Sequence, residues 1–106
     1  MDAQLKRGML DACVLAAIKD KESYGYEMIK DISPYVIISE STLYPVLRRL
    51  EGMNYVTVRS AEHNGRLRKY YKITQEGKER LRVFINEWEE MIRIYNFVTG
   101  EGKTND

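Results

Sequence analysis

The stretch Glu40–Thr74, ESTLYPVLRRLEGMNYVTVRSAEHNGRLRKYYKIT, decides how this 106-residue chain folds. In its first third Leu43, Val46, Leu47, Leu50 and Met53 recur at i, i+3, i+4, i+7 and i+10, which puts them on one face of a helix. Proline is tolerated only in a helix's first turns, so Pro45 places the start at Ser39–Ser41, and Gly52 stands near the end. Ser41, Pro45, Arg48 and Gly52 fall on the opposite side, with Tyr44 and Arg49 on its shoulders. The pattern then changes. YVTVRS, Tyr55–Ser60, has the β-branched and aromatic content of a strand. Asn64-Gly65 is the strongest short hairpin signal, because both central residues of a type I′ turn need positive φ. LRKYYKI, Leu67–Ile73, returns as the second strand.

Upstream, Gln4–Lys19 carries two apolar stripes at helical spacing, Leu10, Val14, Ala17 and Ile18 on one and Leu5, Met9, Ala12 and Ala16 on the other. That is more apolar surface than one small core can cover. Ser23 is expected to cap a second helix whose Tyr24, Met28, Ile29 and Ile32 turn inward, and Pro34 ends it. Downstream, Thr74 caps a fourth helix, with Gln75 and Glu76 in its first turn; Gly77 denies it a full capping box. Leu81, Trp88 and Tyr95 are seven apart, and Phe84 or Ile85, Met91 or Ile92, and Val98 fill the seam between them. The order of elements predicts a mainly α (α+β) fold, a winged helix-turn-helix with a two-stranded wing and a long C-terminal dimerisation helix. Residues 1–74 form the winged unit, 75–98 the dimerisation helix and 99–106 a Gly-containing polar tail that frays.

Hydrophobic residues make up 43% of the chain and charged ones 31%, the balance of a globular protein rather than a disordered one. No apolar run approaches the roughly 18 residues of a membrane span. Neither a signal peptide nor a membrane partner is expected. Cys13 is the single cysteine and has no partner for an internal disulfide, which suits a reducing, cytoplasmic setting. The net charge of +1 conceals an uneven distribution. Residues 48–74 hold seven basic and two acidic side chains, whereas 1–47 and 75–106 each hold five basic and seven acidic. Clustered Lys and Arg between acidic flanks suit a polyanionic partner.

Catalysis is not expected. The one histidine, His63, sits at the hairpin tip beside Asn64 and Gly65, where nothing orients it as a base. Cys13 lies mid-helix among Ala12, Val14 and Leu15, so one His and one Cys supply no metal-ligand set. There is no glycine-rich phosphate loop and no nucleophile elbow. No cofactor is implied.

ESTLYPVLRRLEGMNYV (40–56), GRLRKYYKITQEGKERL (65–81) and SYGYEMIKDI (23–32) together resemble the PadR family of bacterial regulators. The resemblance extends over about residues 4–95. It implies double-stranded DNA as partner, with the third helix in the major groove and the hairpin reaching along the backbone or into the minor groove. Read that way, Ser41, Thr42, Tyr44 and Arg48 on the helix and Arg66, Arg68 and Lys69 on the hairpin are the DNA-binding set. It further implies a repressor on an inverted-repeat operator, often released by a small molecule or stress signal. The homodimer would be held by the last helix against the partner's first and last, here through Leu5, Met9, Leu81, Phe84, Trp88, Met91 and Tyr95. Only one helix follows the hairpin, so the chain resembles the short subfamily, and phenolic-acid sensing is not carried over.

Trp88 matches the position where multidrug-binding members hold flat aromatic molecules between two symmetry-related indoles. Phe84, Met91 and Ile92 would complete such a wall, although Ile92 replaces a carboxylate that helps attract cationic ligands. A large aromatic at a heptad position also serves as plain dimer core. The alternative for the whole chain is a winged helix serving as a protein-interaction module. The hydroxyls and Arg48 on the third helix, combined with a basic wing, favour DNA.

Overall fold

The computed structural model describes residues 1–101, with elements in the order α1 (Ala3–Ala17), α2 (Gly25–Ile32), α3 (Glu40–Gly52), β1 (Val56–His63), β2 (Arg66–Ile73) and α4 (Gln75–Thr99). Four helices and a two-stranded antiparallel wing are thus present, and α4 runs one residue beyond the expected 98. Residues 102–106, most of the expected tail, lie outside the described residues.

Local chemistry accounts for most boundaries. The Asp2 side chain accepts from the Gln4 N–H at 2.7 Å and starts α1. α2 stops at Ile32, two residues before Pro34. Asn64 (φ 53°) and Gly65 (φ 79°) both occupy the left-handed region, as a type I′ turn requires, and His63 pairs with Arg66 across it. Thr74 Oγ1 accepts from the Gly77 N–H at 2.9 Å and donates to the Asn54 carbonyl at 2.7 Å. One hydroxyl therefore caps α4 and ties it to the end of α3.

The core lies where α1, α2, α3, the base of the wing and the first turns of α4 meet. Val14 and Leu15 of α1, Met28 of α2, and Leu43, Leu47 and Leu50 of α3 are sealed from water, with Val56, Tyr71 and Ile73 closing the wing side. Burying each such side chain contributes about 1.5–3 kcal/mol, which makes this cluster the main stabilising term.

Four expectations are corrected. Ser23 does not cap α2. Its backbone instead exchanges two hydrogen bonds with Tyr71, at 3.0 and 2.7 Å, an isolated antiparallel bridge beside the wing, and α2 starts after Tyr24 without a side-chain cap. Ala12, placed on the second stripe of α1, is buried in the core, while Ala16 is exposed. Met53, placed on the inner face of α3, is the residue after its last turn and is 56% exposed, because the chain turns there toward β1. Phe84, placed on the dimer seam, is 6% exposed and packs within the chain, close to Gly8 of α1.

α4 divides in two. Its first half packs on the body through Phe84, with Leu81 and Trp88 half-buried beside it. Beyond Met91, which still lines a groove with α1, it projects alone, its 25 residues spanning about 37 Å and stretching the molecule to 63 Å.

Candidate nucleic-acid interface

The N-terminus of α3 carries a small hydroxyl network. Ser39 Oγ lies 2.9 Å from Ser41 Oγ and 3.3 Å from Thr42 Oγ1. Ser39 occupies the cap position yet makes no capping bond with its side chain; Thr42 N–H donates to the Ser39 carbonyl at 3.1 Å, which leaves the Glu40 and Ser41 N–H groups open to an acceptor. Such a terminus suits a phosphate oxygen. Ser41 is exposed and Thr42 half-buried. One turn on, Tyr44 lies with its hydroxyl against Gly25, where the missing side chain leaves room for the ring at the start of α2. Arg48 follows on the same exposed side and makes no ion pair among the described residues.

The wing places basic residues across a groove from the helices. A groove of about 480 Å³ separates α2 and α3 from the hairpin, and its lining includes Tyr24, Tyr26, Tyr44, Arg66, Leu67 and Lys69. Glu40 is the carboxylate of that lining; in the first turn of α3 it favours the helix but opposes a phosphate. Arg66 and Lys69 are exposed and unpaired among the described residues. Strand alternation sends them to opposite faces of the hairpin, Arg66 with Arg68 and Tyr70, Lys69 with Leu67 and Tyr71.

Arg68 differs from its neighbours. It is half-buried, with its guanidinium carbon 3.8 Å from the centre of the Tyr24 ring. It also lines the groove between the helices and the hairpin, with Arg66 and Lys69. Sequence reasoning also missed Ser39, Tyr24 and Tyr26. Tyr24 falls in a segment whose apolar periodicity assigns it inward, and the 70% exposure of Tyr26 is set by the tertiary structure.

The residues assigned to the dimer and ligand sets do not share one environment. Leu5, Met91, Ile92 and Tyr95 are exposed, Met9, Leu81 and Trp88 half-buried, and Phe84 buried. Leu5, Met9, Trp88 and Met91 line a groove of about 370 Å³ between α1 and α4, whereas Ile92 lies outside it. The Phe84 and Trp88 rings are 6.4 Å apart and tilted by 44°. Burial pushes the Cys13 thiol above its ordinary value, which makes it a poor nucleophile. No cluster of metal-ligating side chains occurs among the described residues.

Comparison with known proteins bears on the family and the fold. Residues 14–83 match the sequence profile described as the transcriptional regulator PadR-like family. An uncharacterised protein of Lysinibacillus sphaericus is 39% identical over 93 residues, which cover 83% of this chain and 85% of that protein. A PadR-like transcriptional regulator of Bacillus cereus superposes with a TM-score of 0.79 at 30% identity, covering 95% of this chain and 100% of its own. A transcriptional regulator of Clostridium thermocellum gives 0.80 at 33% identity, covering 89% and 96%.

Proposed function

The chain belongs to the PadR-like family of transcriptional regulators, and on that premise we propose that it is a cytoplasmic repressor binding an inverted-repeat operator as a homodimer. The family is one of DNA-binding regulators and not of enzymes. The observation that supports the finer reading is a groove that Arg66 and Lys69 of the wing, exposed and unpaired among the described residues, line together with Tyr44 of α3, the helix that also bears the exposed Arg48 and the Ser41 hydroxyl. In this reading Arg48 reads a base edge or pins a phosphate in the major groove. Arg66 and Lys69 neutralise the backbone beside it. Residues 1–74 act as the DNA-binding part and 75–98 as the dimerisation helix.

What supports the dimer is the distal half of α4. Met91, Ile92, Ile94, Tyr95, Phe97 and Val98 are all exposed there, a contiguous apolar surface that a solitary small protein rarely carries. A two-fold dimer presents two equivalent heads, hence an operator with two-fold symmetry. Selection of bound duplexes from a random pool tests this. An inverted repeat with half-sites about one helical turn or more apart is the expected result; a site without two-fold symmetry counts against the assembly. Light scattering adds an independent check, because a stable monomer at micromolar concentration overturns the dimer.

A planar aromatic effector is a second, subordinate reading, favoured by the α1–α4 groove beside Trp88. A molecule wedged there would alter the separation of the two heads and so favour one geometry over another.

A further inference from the structure

The outer half of the wing has no core beneath it. Its base is held by Val56, Tyr71 and Ile73 and by the Ser23 bridge, whereas the strands from Ser60 to Lys69 run on past the last buried residue. An isolated two-stranded hairpin is marginally stable in water at best. A second set of contacts supports the outer part.

On the face away from Tyr71, the side chains form a stack that alternates cation and ring. The Arg68 guanidinium lies 3.8 Å from the centre of the Tyr24 ring and 6.0 Å from that of Tyr70, and its Nη1 donates to the Tyr70 hydroxyl at 3.4 Å. The Tyr24 and Tyr70 rings meet edge to face at 5.8 Å. Arg59, directly across from Tyr70, lies 4.7 Å from its ring centre and is paired through two bonds with Glu22. Tyr24 and Glu22 belong to the segment leading into α2. The stack therefore ties the hairpin to the body that carries α3. Ala61, opposite Arg68, leaves only a methyl group on that face.

We infer that Arg68 is a positioning residue for DNA binding and not a phosphate ligand: held on Tyr24, it sets the angle between wing and helices at which Arg66 and Lys69 meet the backbone. A guanidinium over an aromatic face gains from the ring quadrupole, and leaving that site to reach a phosphate would forfeit the contact. Fixing the wing beforehand also lowers the ordering cost of binding. The inference rests on the reading of the wing as a DNA contact.

Four variants test it, with the duplex selected by the wild-type protein and a random-sequence duplex as probes. Arg68→Met removes the charge but keeps an unbranched chain; Tyr24→Leu removes the ring and touches no charge. Both are expected to weaken binding to the selected duplex roughly tenfold, the size of one partly desolvated cation–π contact. Neither changes the slope of log K against log salt on the random duplex. The combined variant is no weaker than the worse single one, because both remove the same contact. Arg68→Lys, which keeps the charge without the plane, does not restore binding. In the DNA-free protein, wing amides exchange faster in Arg68→Met and Tyr24→Leu than in the wild type. A slope reduced by about one unit in Arg68→Met marks a phosphate contact and overturns the inference. So does wild-type binding by Tyr24→Leu, or unaltered amide exchange. If instead the Arg66→Ala, Lys69→Ala double change leaves the slope untouched, it is the wing–DNA reading that fails, and amide exchange still decides whether the stack holds the wing.

Discussion

The guanidinium of Arg49 on α3 is paired with the carboxylate of Asp11 on α1. Arg49 stands on the shoulder of α3 and joins the helix bearing Arg48 to the first helix of the chain. The side chains are 30% and 14% exposed, so the pair is neither freely solvated nor sealed. Arg7 and Arg80 also face Asp11, and all three cations favour its ionised form, but burial outweighs them and holds the carboxyl above its ordinary value of 3.8.

Removing one partner leaves the other without compensation. Arg49→Met is expected to lower stability by on the order of 1–2 kcal/mol, between the values for exposed and buried pairs. Adding Asp11→Asn to it recovers part of that loss, because the half-buried charge has gone. Urea denaturation of both single variants and the double one measures the coupling.

The raised pKa of Asp11 has a definite sign in the pH dependence. In the folded protein Asp11 binds its proton more tightly than in the unfolded chain. Its stabilising contribution is therefore fully present below the ordinary carboxylate value and is lost as pH rises through the folded one. The stability of the wild type relative to Asp11→Asn is expected to grow on acidification through that window. Parallel denaturant titrations of the two proteins across the acidic range would detect this; a difference independent of pH contradicts the burial argument.

Gly77 lies in the first turn of α4, where alanine would ordinarily favour the helix. A side-chain carbon at this position would fall on the Tyr55 carbonyl oxygen and 2.8 Å from Ile73 Cγ1. That carbonyl already accepts from the Thr74 N–H at 3.0 Å. Gly77→Ala is expected to destabilise by about 1–3 kcal/mol, as overpacking does, despite its better helix propensity. Thermal melting reads the shift, and an unchanged or raised midpoint would show that the wing and α4 can separate at little cost.

Arg48 is the exposed cation on the face of α3 that carries Ser41 and Tyr44. Arg48→Ala is expected to cost about 1–3 kcal/mol on the selected operator and to relax preference at one position of each half-site. Fluorescence anisotropy with the selected duplex and single-base variants checks both. Equal weakening on every sequence would reassign Arg48 to a phosphate.

Trp88 is the single tryptophan, so indole emission reports on the α1–α4 groove alone. Titration with planar cationic dyes is expected to quench it. Trp88→Leu, which keeps apolar contact with Phe84, is expected to abolish dye binding while the dimer persists in light scattering. No quenching by any such dye, with a collapsed dimer in the variant, would make Trp88 packing alone.

The order and type of every element followed from the sequence by itself, because period, turn chemistry and caps are local properties. Leu43, Val46, Leu47 and Leu50 recur at helical spacing whatever surrounds them, and Asn64-Gly65 is a type I′ turn by its backbone preferences. The exposed side of α3 was legible for the same reason. Tertiary structure decided which of several chemically equivalent partners each side chain met. Ser23 reads as a helix cap until Tyr71, 48 positions on, claims its backbone N–H and C=O. Phe84 and Tyr95 occupy the same heptad seam, yet α1 covers the first and leaves the second 58% exposed. Arg66 and Arg68 are two basic residues on one face of one strand, and spacing alone makes them equivalent. Only the approach of Tyr24 from the segment before α2 separates them, because a ring within 4 Å turns a solvated charge into a packed one.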